Sequence, residues 1–261
     1  MIQKAISIIL ATGLLAACTI PEKADAPASN QWVSIFDGQS LSGWTPKING
    51  QNLGDDPAGI FRIVDGALRV TYEDMASFDN AFGHLFFDQD VSDYRLRFEY
   101  RFFEEQKSGG PGWAFMNSGV MFHAQAPETM RKDQAFPISI EAQLLGTSAQ
   151  TPGRTTANIC TPGTHIVLAG ELTKQHCVTS QTLAAPAGTW VAFELEVRGS
   201  NMTRLLIDGA EAFVLTNPAY DAADPDVARL ALEGPVEQGY FALQAESHPV
   251  EFRNIELMRL D

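Results

Sequence analysis

The stretch of sequence that decides the fold is residues 117–146, which read NSGVMFHAQAPETMRKDQAFPISIEAQLLG. It contains two apolar runs, at 120–122 and 137–145, separated by a polar connector, and we interpret each run as a β-strand. Side chains alternate between the two faces of a strand. The second run therefore places four apolar residues on one face, which we expect to be buried: Ile138, Ile140, Ala142 and Leu144.

The other face of this second strand carries Ser139, Glu141, Gln143 and Leu145. Glu141 and Gln143 point the same way, about 7 Å apart by the rise of a strand. Such a polar face is either wet surface or the floor of a polar cleft. Because Asn117 and His123 lie on the preceding strand, residues 117–146 are the best candidate for a functional site.

The rest of the chain repeats the strand pattern. Residues 94–102 alternate strictly between apolar and charged side chains, which is typical of a strand with one buried face. Two Asp-Gly pairs, at 65–66 and 208–209, lie between apolar runs and predict tight hairpins. Roughly a dozen short strands follow one another without a long helical pattern. The sequence therefore predicts an all-β, single-domain jelly-roll β-sandwich.

The N-terminus is typical of an exported protein. Lys4 precedes an apolar run at 5–17 that is too short to span a membrane, and Leu15-Ala16-Ala17-Cys18 resembles a bacterial lipoprotein cleavage site. The residue after the cysteine is Thr19 and not Asp, which resembles the outer-membrane sorting pattern of lipoproteins. We therefore expect the domain to be anchored at the outer membrane, facing the periplasm or the cell surface. The alternative is an ordinary signal peptide with a chance cysteine. The predicted organisation is a signal peptide at 1–17, a lipid on Cys18 with a flexible tether at 18–31, and a domain at 32–261.

The long segment at 146–189 is rich in Thr, Gly and Pro, and we predict a loop there. It contains Cys160 and Cys177, an even pair once Cys18 is assigned to the lipid. In an oxidising compartment we expect these two cysteines to form a disulfide, which would contribute roughly 3 kcal/mol to stability. Two free buried thiols are the alternative.

The charge balance narrows the class of partner. The chain has 32 acidic and 18 basic residues, for a net charge of −14. This charge disfavours nucleic acid and suits a neutral substrate or a divalent cation. Solubility alone would also explain it.

Several motifs together resemble the 3-keto-disaccharide hydrolase domain family, over residues 32–260. They are FDGQSLSGW at 36–44, VDGAL at 64–68, NSGVMF at 117–122, IEAQ at 140–143 and PVEFRNI at 249–255. The resemblance implies a concanavalin-A-like jelly roll that acts on oxidised sugars. In these sugars a 3-keto group acidifies the C2 proton, so the glycosidic bond can break by elimination before water adds. Many members carry Gln-x-His near the last strand, where this chain has Gln244-Ala-Glu246 and then His248.

This chemistry needs a base near the C2 proton, an electrophile at the enolate oxygen and an acid for the leaving oxygen. We predict Glu141 as the base and His123 as its partner acid. Either residue could instead be a metal ligand in a divalent-cation site, or a surface or packed residue, and no paired-histidine motif supports the cation. The strand at 138–145 holds only one acid, which argues against the carboxylate pair of a retaining glucanase.

Further residues are candidates for binding sugar because they are polar or aromatic and close to these segments. They are Asn117, Ser118, Gln143, His165, Gln244, Glu246, His248 and Trp113. Each has a structural alternative, since Asn-Ser-Gly, for example, is ordinary turn chemistry. His84 and His176 show no pattern beyond residue type, and we interpret both as structural.

We therefore predict a lipid-anchored enzyme that cleaves 3-keto-glycosides or a related modified sugar, with a functional link to a sugar 3-dehydrogenase. A non-catalytic carbohydrate-binding lipoprotein is the alternative, because the jelly roll serves lectins equally well. A structural envelope protein is the third and weakest hypothesis.

Overall fold

The computed structural model describes residues 30–261. The predicted signal peptide, the lipid site at Cys18 and most of the tether lie outside these residues and stay predictions. Within them the strands are β1 (Val33–Ser34), β2 (Trp44–Ile48), β3 (Phe61–Val64), β4 (Ala67–Val70), β5 (Gly83–Phe87), β6 (Asp93–Phe102), β7 (Asn117–Ala124), β8 (Ile140–Leu145), β9 (Asn158–Cys160), β10 (Thr164–Leu168), β11 (Glu171–Thr173), β12 (Cys177–Val178), β13 (Val191–Arg198), β14 (Met202–Ile207), β15 (Ala210–Tyr220), β16 (Tyr240–Ala245) and β17 (Val250–Arg259).

Helices are few and short. The described residues contain the α-helix α1 (Pro225–Leu230) and two 3₁₀ turns, Gly112–Ala114 and Pro127–Thr129. No helix between residues 30 and 261 is long and apolar enough to cross a membrane.

The strands form two antiparallel sheets. The seven-stranded sheet has the order β12-β9-β8-β7-β16-β5-β2. The larger sheet has the order β11-β10-β15-β14-β13-β6-β17-β4-β3, with β1 added beside β17. The two sheets enclose one apolar core, to which the seven-stranded sheet contributes Ile140, Ala142 and Leu144. The all-β jelly-roll prediction is confirmed.

Local sequence explains the tight hairpins. Both residues of the Asp65-Gly66 turn have positive φ, at 51° and 79°, and the same holds for Asp208-Gly209, at 50° and 79°. This is the geometry of a type I′ turn, in which Asp and Gly are favoured. Both predicted hairpins are therefore confirmed, as β3–β4 and β14–β15.

The segment at 146–189 differs from the predicted loop, because it contains the four strands β9 to β12. These strands are two to five residues long, too short for a periodic pattern to mark them. The predicted disulfide is confirmed: Cys160 on β9 is bonded to Cys177 on β12, and the two residues lie directly opposite in the sheet.

A ladder of ion pairs covers the outer face of the larger sheet. Its most buried member is Glu251 on β17, which is 2% exposed and accepts hydrogen bonds from Arg69 Nε at 2.8 Å and Arg101 Nε at 2.7 Å. Glu256, on the same strand, accepts from Arg97 Nε at 2.7 Å but is 29% exposed. The two glutamates therefore provide a matched comparison of a buried and an exposed ion pair.

We expect Glu251→Gln to lower the free energy of unfolding by about 2–3 kcal/mol, because it leaves two arginines beside an uncharged buried group. Glu256→Gln should change it by less than about 1 kcal/mol, since exposed pairs contribute little. Urea unfolding of both variants at pH 7 measures the difference. Equal, small losses would show that the ladder does not stabilise the sheet.

Candidate active site

The register of the seven-stranded sheet aligns a row of polar residues across its outer face. His84 on β5 is opposite Gln244 on β16, and Gln143 on β8 is opposite Asn158 on β9. Gly119 on β7 is opposite Gln143 on β8. On its other side Gly119 lies beside Gln244 of β16, because the preceding pair in that register is Val120 with Leu243. Glu141 lies on the same face of β8, two residues from Gln143, as the alternation of the sequence predicts.

Gly119 makes room for the carboxylate of Glu141 in this row. A Cβ atom at Gly119 would lie 2.8 Å from Oε1 of Glu141 and 3.1 Å from Oε1 of Gln244. The side chains of Glu141 and Gln244 therefore converge over the backbone of β7. Any larger residue at position 119 would push these two groups apart.

A cavity of about 410 Å³ opens above this row. Asn117, Gln143, Glu141 and Glu246 form its polar floor, and the disulfide forms one wall. The remaining lining comes from Trp113, Phe136, Pro162 and His176. The indole of Trp113 is 56% exposed and lies parallel to the ring of Phe82, with 5.8 Å between ring centroids. The cavity thus combines an exposed aromatic face with a buried polar floor, as small-molecule sites commonly do.

The connector between β7 and β8 builds the opposite wall. Oε1 of Gln125 accepts hydrogen bonds from the backbone N–H of Ile138 at 2.7 Å and from Nε2 of Gln134 at 2.8 Å. These bonds fold the connector over the outer face, where Met130 packs against Met121 in a small apolar cluster. This fold places Phe136 at the cavity.

Glu141 and Glu246 are a pair of buried carboxyl groups. They are 7% and 2% exposed, and Oε1 of Glu141 and Oε2 of Glu246 have no hydrogen-bond partner. Burial raises the pKa of Glu141 to about 8. Burial, and then the charge of Glu141, raise the pKa of Glu246 well above its usual range. Both groups therefore favour protonation near neutral pH. In the form in which Glu141 is ionised, its charge holds a proton on Glu246, so Glu141 can accept a proton while Glu246 gives one.

Two amide oxygens near these carboxyl groups are also unpaired. Oδ1 of Asn117, which lines the cavity, and Oε1 of Gln244, beside Glu141, are buried without a partner. Unpaired buried polar atoms are uncommon in folded proteins and cost free energy. Their concentration at one cavity is what a site built for a polar ligand requires.

His123 is not placed with Glu141, which corrects the predicted acid–base pair. An extra residue on β7 breaks its register with β16, and His123 has a φ of 49°. Its Nε2 lies 3.2 Å from the carbonyl oxygen of Gly199, in the turn between β13 and β14, and burial lowers its pKa to about 4. Strand alternation is lost at this bulge, so the imidazole does not line the cavity.

Three of the predicted sugar-binding residues also lie away from the cavity. Ser118 faces inward and donates to the carbonyl oxygen of Gln244 at 2.8 Å. His165, on β10 in the other sheet, pairs with Asp221 at 3.3 Å. His248 is buried between the rings of Phe102 and Phe115, with its Nε2 2.8 Å from the carbonyl oxygen of Phe103. By contrast, Asn117, Gln143, Glu246 and Trp113 line the cavity, and Gln244 lies beside Glu141.

His176 lines the cavity although its sequence showed no functional pattern. The only signal in the sequence was its position next to Cys177, which was expected to be bonded to Cys160. His84 lies lower in the polar row, 1% exposed, with both ring nitrogens unpaired, and burial lowers its pKa to about 3. It is a buried, neutral histidine that packs against Phe86 and Phe136.

A divalent cation was one option for polarising the substrate. Between residues 30 and 261, no group of three or more His, Cys, Asp or Glu side chains is placed to share a metal ion. The cavity floor offers two buried carboxyl groups, Glu141 and Glu246, whose pKa values are raised. The roles proposed for the reaction are therefore assigned to the side chains of the cavity.

Comparisons with known proteins place this chain among carbohydrate-active domains. Residues 31–258 match the model of the 3-keto-alpha-glucoside-1,2-lyase-like domain. The chain belongs to this family, which confirms the resemblance found in the motifs. A search of curated proteins found no match.

Solved structures confirm the fold at low sequence identity. A provisionally named glycosyl hydrolase from Parabacteroides distasonis is 15% identical, with a TM-score of 0.52, covering 88% of this chain and 94% of its own. A protein of unknown function with a galectin-like fold from Bacillus subtilis is 12% identical, with a TM-score of 0.54, covering 89% of this chain and 96% of its own.

Proposed function

We propose that this protein cleaves 3-keto-glycosides, or a related modified sugar, by elimination followed by hydration. The observation that carries the proposal is the pair of buried carboxyl groups, Glu141 and Glu246, in one cavity. Elimination next to a ketone requires one group to take a proton and another to give one, and such a pair supplies both. Membership of the 3-keto-alpha-glucoside-1,2-lyase-like family supports the same chemistry.

In the first step the carboxylate of Glu141 takes the C2 proton. The electrons of the C2–H bond form a C1=C2 double bond, and the bond from C1 to the leaving oxygen breaks. Glu246 gives its proton to that oxygen, so the second sugar leaves as an alcohol. Water then adds at C1 and a proton returns to C2, which regenerates a free 3-keto sugar. We assign Glu141 as the base and Glu246 as the acid, because the charge of an ionised Glu141 raises the pKa of Glu246.

Substrate binding in this scheme uses the remaining lining residues. The exposed indole of Trp113 offers a flat face for a sugar ring. Asn117 and Gln143 are hydrogen-bonding groups for hydroxyls or for the keto oxygen. The unpaired oxygen of Asn117 would then be satisfied by substrate.

The test is product release from 3-keto-trehalose, 3-keto-lactose and their unoxidised parents, with and without EDTA. We expect release from the keto sugars alone. EDTA sensitivity would reinstate the divalent cation as a requirement. Release from the parents at the same rate would contradict elimination, because their C2 proton is not acidified.

A carbohydrate-binding module without catalysis is the second candidate function. The exposed Trp113 beside a polar cavity favours it, since stacking and hydrogen bonds suffice for binding. Saturable binding of the same sugars without any turnover would support this candidate over the enzyme.

The cellular setting is part of the proposal. A lipid on Cys18 would hold the domain at the cell envelope, at the outer membrane. A 3-keto substrate must be made by an oxidation at C3, so a sugar 3-dehydrogenase would act before this protein.

A further inference from the structure

His176 differs from the other histidines of the chain in its surroundings. His84, His123 and His248 are buried, and His165 is paired with Asp221. His176 is exposed and lines the same cavity as Glu141 and Glu246. Among residues 30–261 it is therefore the imidazole that a ligand in the cavity meets.

The disulfide is what holds His176 at this place. His176 precedes Cys177, which is bonded to Cys160, and Cys160 is opposite Glu141 in the sheet. The carbonyl oxygen of His176 also accepts a hydrogen bond from the N–H of Thr161 at 2.8 Å. Strand β12 is only two residues long and lies at the edge of the sheet, so non-covalent pairing alone anchors it weakly.

We propose that His176, fixed by the Cys160–Cys177 disulfide, forms the subsite for the leaving sugar. This inference rests on the proposed function. Glu141 and Glu246 are buried in the floor, so the ring that reacts with them lies deepest in the cavity. The second sugar then extends outward past the exposed wall, where the imidazole of His176 hydrogen-bonds one of its hydroxyls. His176 is thus a specificity-determining residue for the size of the leaving group.

The test compares a 3-keto-disaccharide with methyl 3-keto-glucoside, which has no leaving sugar. We expect His176→Ala to lower kcat/KM for the disaccharide roughly tenfold, because the variant loses about one hydrogen bond to the substrate. The value of kcat/KM for the methyl glycoside should stay unchanged. Lys174→Ala, an exposed neighbour that does not line the cavity, is the control and should change neither. Equal rates for His176→Ala and the wild type on both substrates would overturn the subsite.

The role of the disulfide is tested by mild reduction and by the double variant Cys160→Ala/Cys177→Ala. Either change should lower kcat/KM for the disaccharide by as much as His176→Ala does. Breaking the disulfide in the His176→Ala variant should lower kcat/KM little further. If reduction changes nothing while His176→Ala has its effect, the disulfide is not the support. Far-UV circular dichroism before and after reduction shows whether the sheet is intact.

A binding measurement separates this inference from the proposed reaction. The measurement uses the Glu141→Gln variant, in which the NMR signals of His176 are those that disappear when His176→Ala is added. These signals should shift when the disaccharide is added and should not shift when the methyl glycoside is added. Such shifts would support the subsite even if the wild type cleaves neither sugar. Their absence would overturn the subsite even if cleavage is observed.

Discussion

Glu141→Gln is expected to lower kcat for 3-keto-glycoside cleavage by about a thousandfold, the size of effect that a positioned general base typically contributes. Glutamine has the shape of glutamate and fits the space over Gly119, where a carboxylate oxygen now lies. It cannot accept the C2 proton. We therefore expect KM to change little, because the floor of the cavity keeps its shape. Initial rates of product release measure both constants.

The control for this prediction is Glu194→Gln, which removes a carboxylate from the outer face of the other sheet. It should keep the wild-type rate. A Glu141→Gln variant that retains activity within a few-fold of the wild type would contradict the assignment of the base, whatever the rest of the cavity does.

The nature of the leaving group separates the roles of the two carboxyl groups. The Glu246→Gln variant should also cleave 3-keto-disaccharides slowly, because the departing sugar needs a proton. The same variant should recover much of the wild-type rate on a 3-keto-glucoside with a nitrophenol leaving group, which departs without protonation. Glu141→Gln should not recover, since the C2 proton must still be removed. The opposite pattern would exchange the two roles.

The parts of this site that the sequence predicts are those set by local geometry. Strand alternation places Glu141 and Gln143 on the outer face and Ile140 and Ala142 in the core, because side-chain direction depends only on the strand itself. The resemblance to a known family adds the concanavalin-A-like form of the jelly roll. Together they predict the all-β jelly roll and one of its two central carboxyl groups.

The pairing of Glu141 with Glu246 could not be obtained from spacing. The two residues are far apart in the chain, and they meet because β16 lies beside β7 and β7 lies beside β8. A scan for paired acids on one strand therefore finds a single glutamate. Glu246 was named as a sugar-binding candidate, but the rise of its pKa comes from burial and from the charge of Glu141, and only the folded sheets create both.

The positions of His123 and His176 differ from the sequence prediction for separate physical reasons. The bulge at His123 adds a residue to β7, and nothing in the sequence VMFHAQ distinguishes it from regular alternation. His176 gains its position from the disulfide and from an edge strand of two residues. Long-range contacts decide both positions, so periodicity could not predict them.

The buried carboxyl pair should also make the protein less stable as the pH rises from about 5 to 8. In the unfolded chain both glutamates ionise near pH 4.5, whereas in the folded protein the pKa of each is raised by burial. The folded state thus keeps protons that the unfolded state releases. The free energy of unfolding then falls by up to about 1.4 kcal/mol per pH unit for each retained proton. The fall should level off once the pH passes the raised pKa values.

Comparison with Glu141→Gln/Glu246→Gln isolates this effect from the other titrating groups. The buried histidines, whose pKa values are lowered, act in the opposite direction, but they are the same in both proteins and cancel in the difference. Urea unfolding at pH 5 and pH 8 should show the wild type losing at least about 3 kcal/mol more than the double variant, since one retained proton alone contributes about 1.4 kcal/mol per pH unit over most of this range. The variant, although inactive, should be the more stable protein at pH 8. Parallel pH profiles would mean that the two carboxyl groups ionise freely in the folded state, which would contradict the raised pKa values on which the acid–base assignment depends.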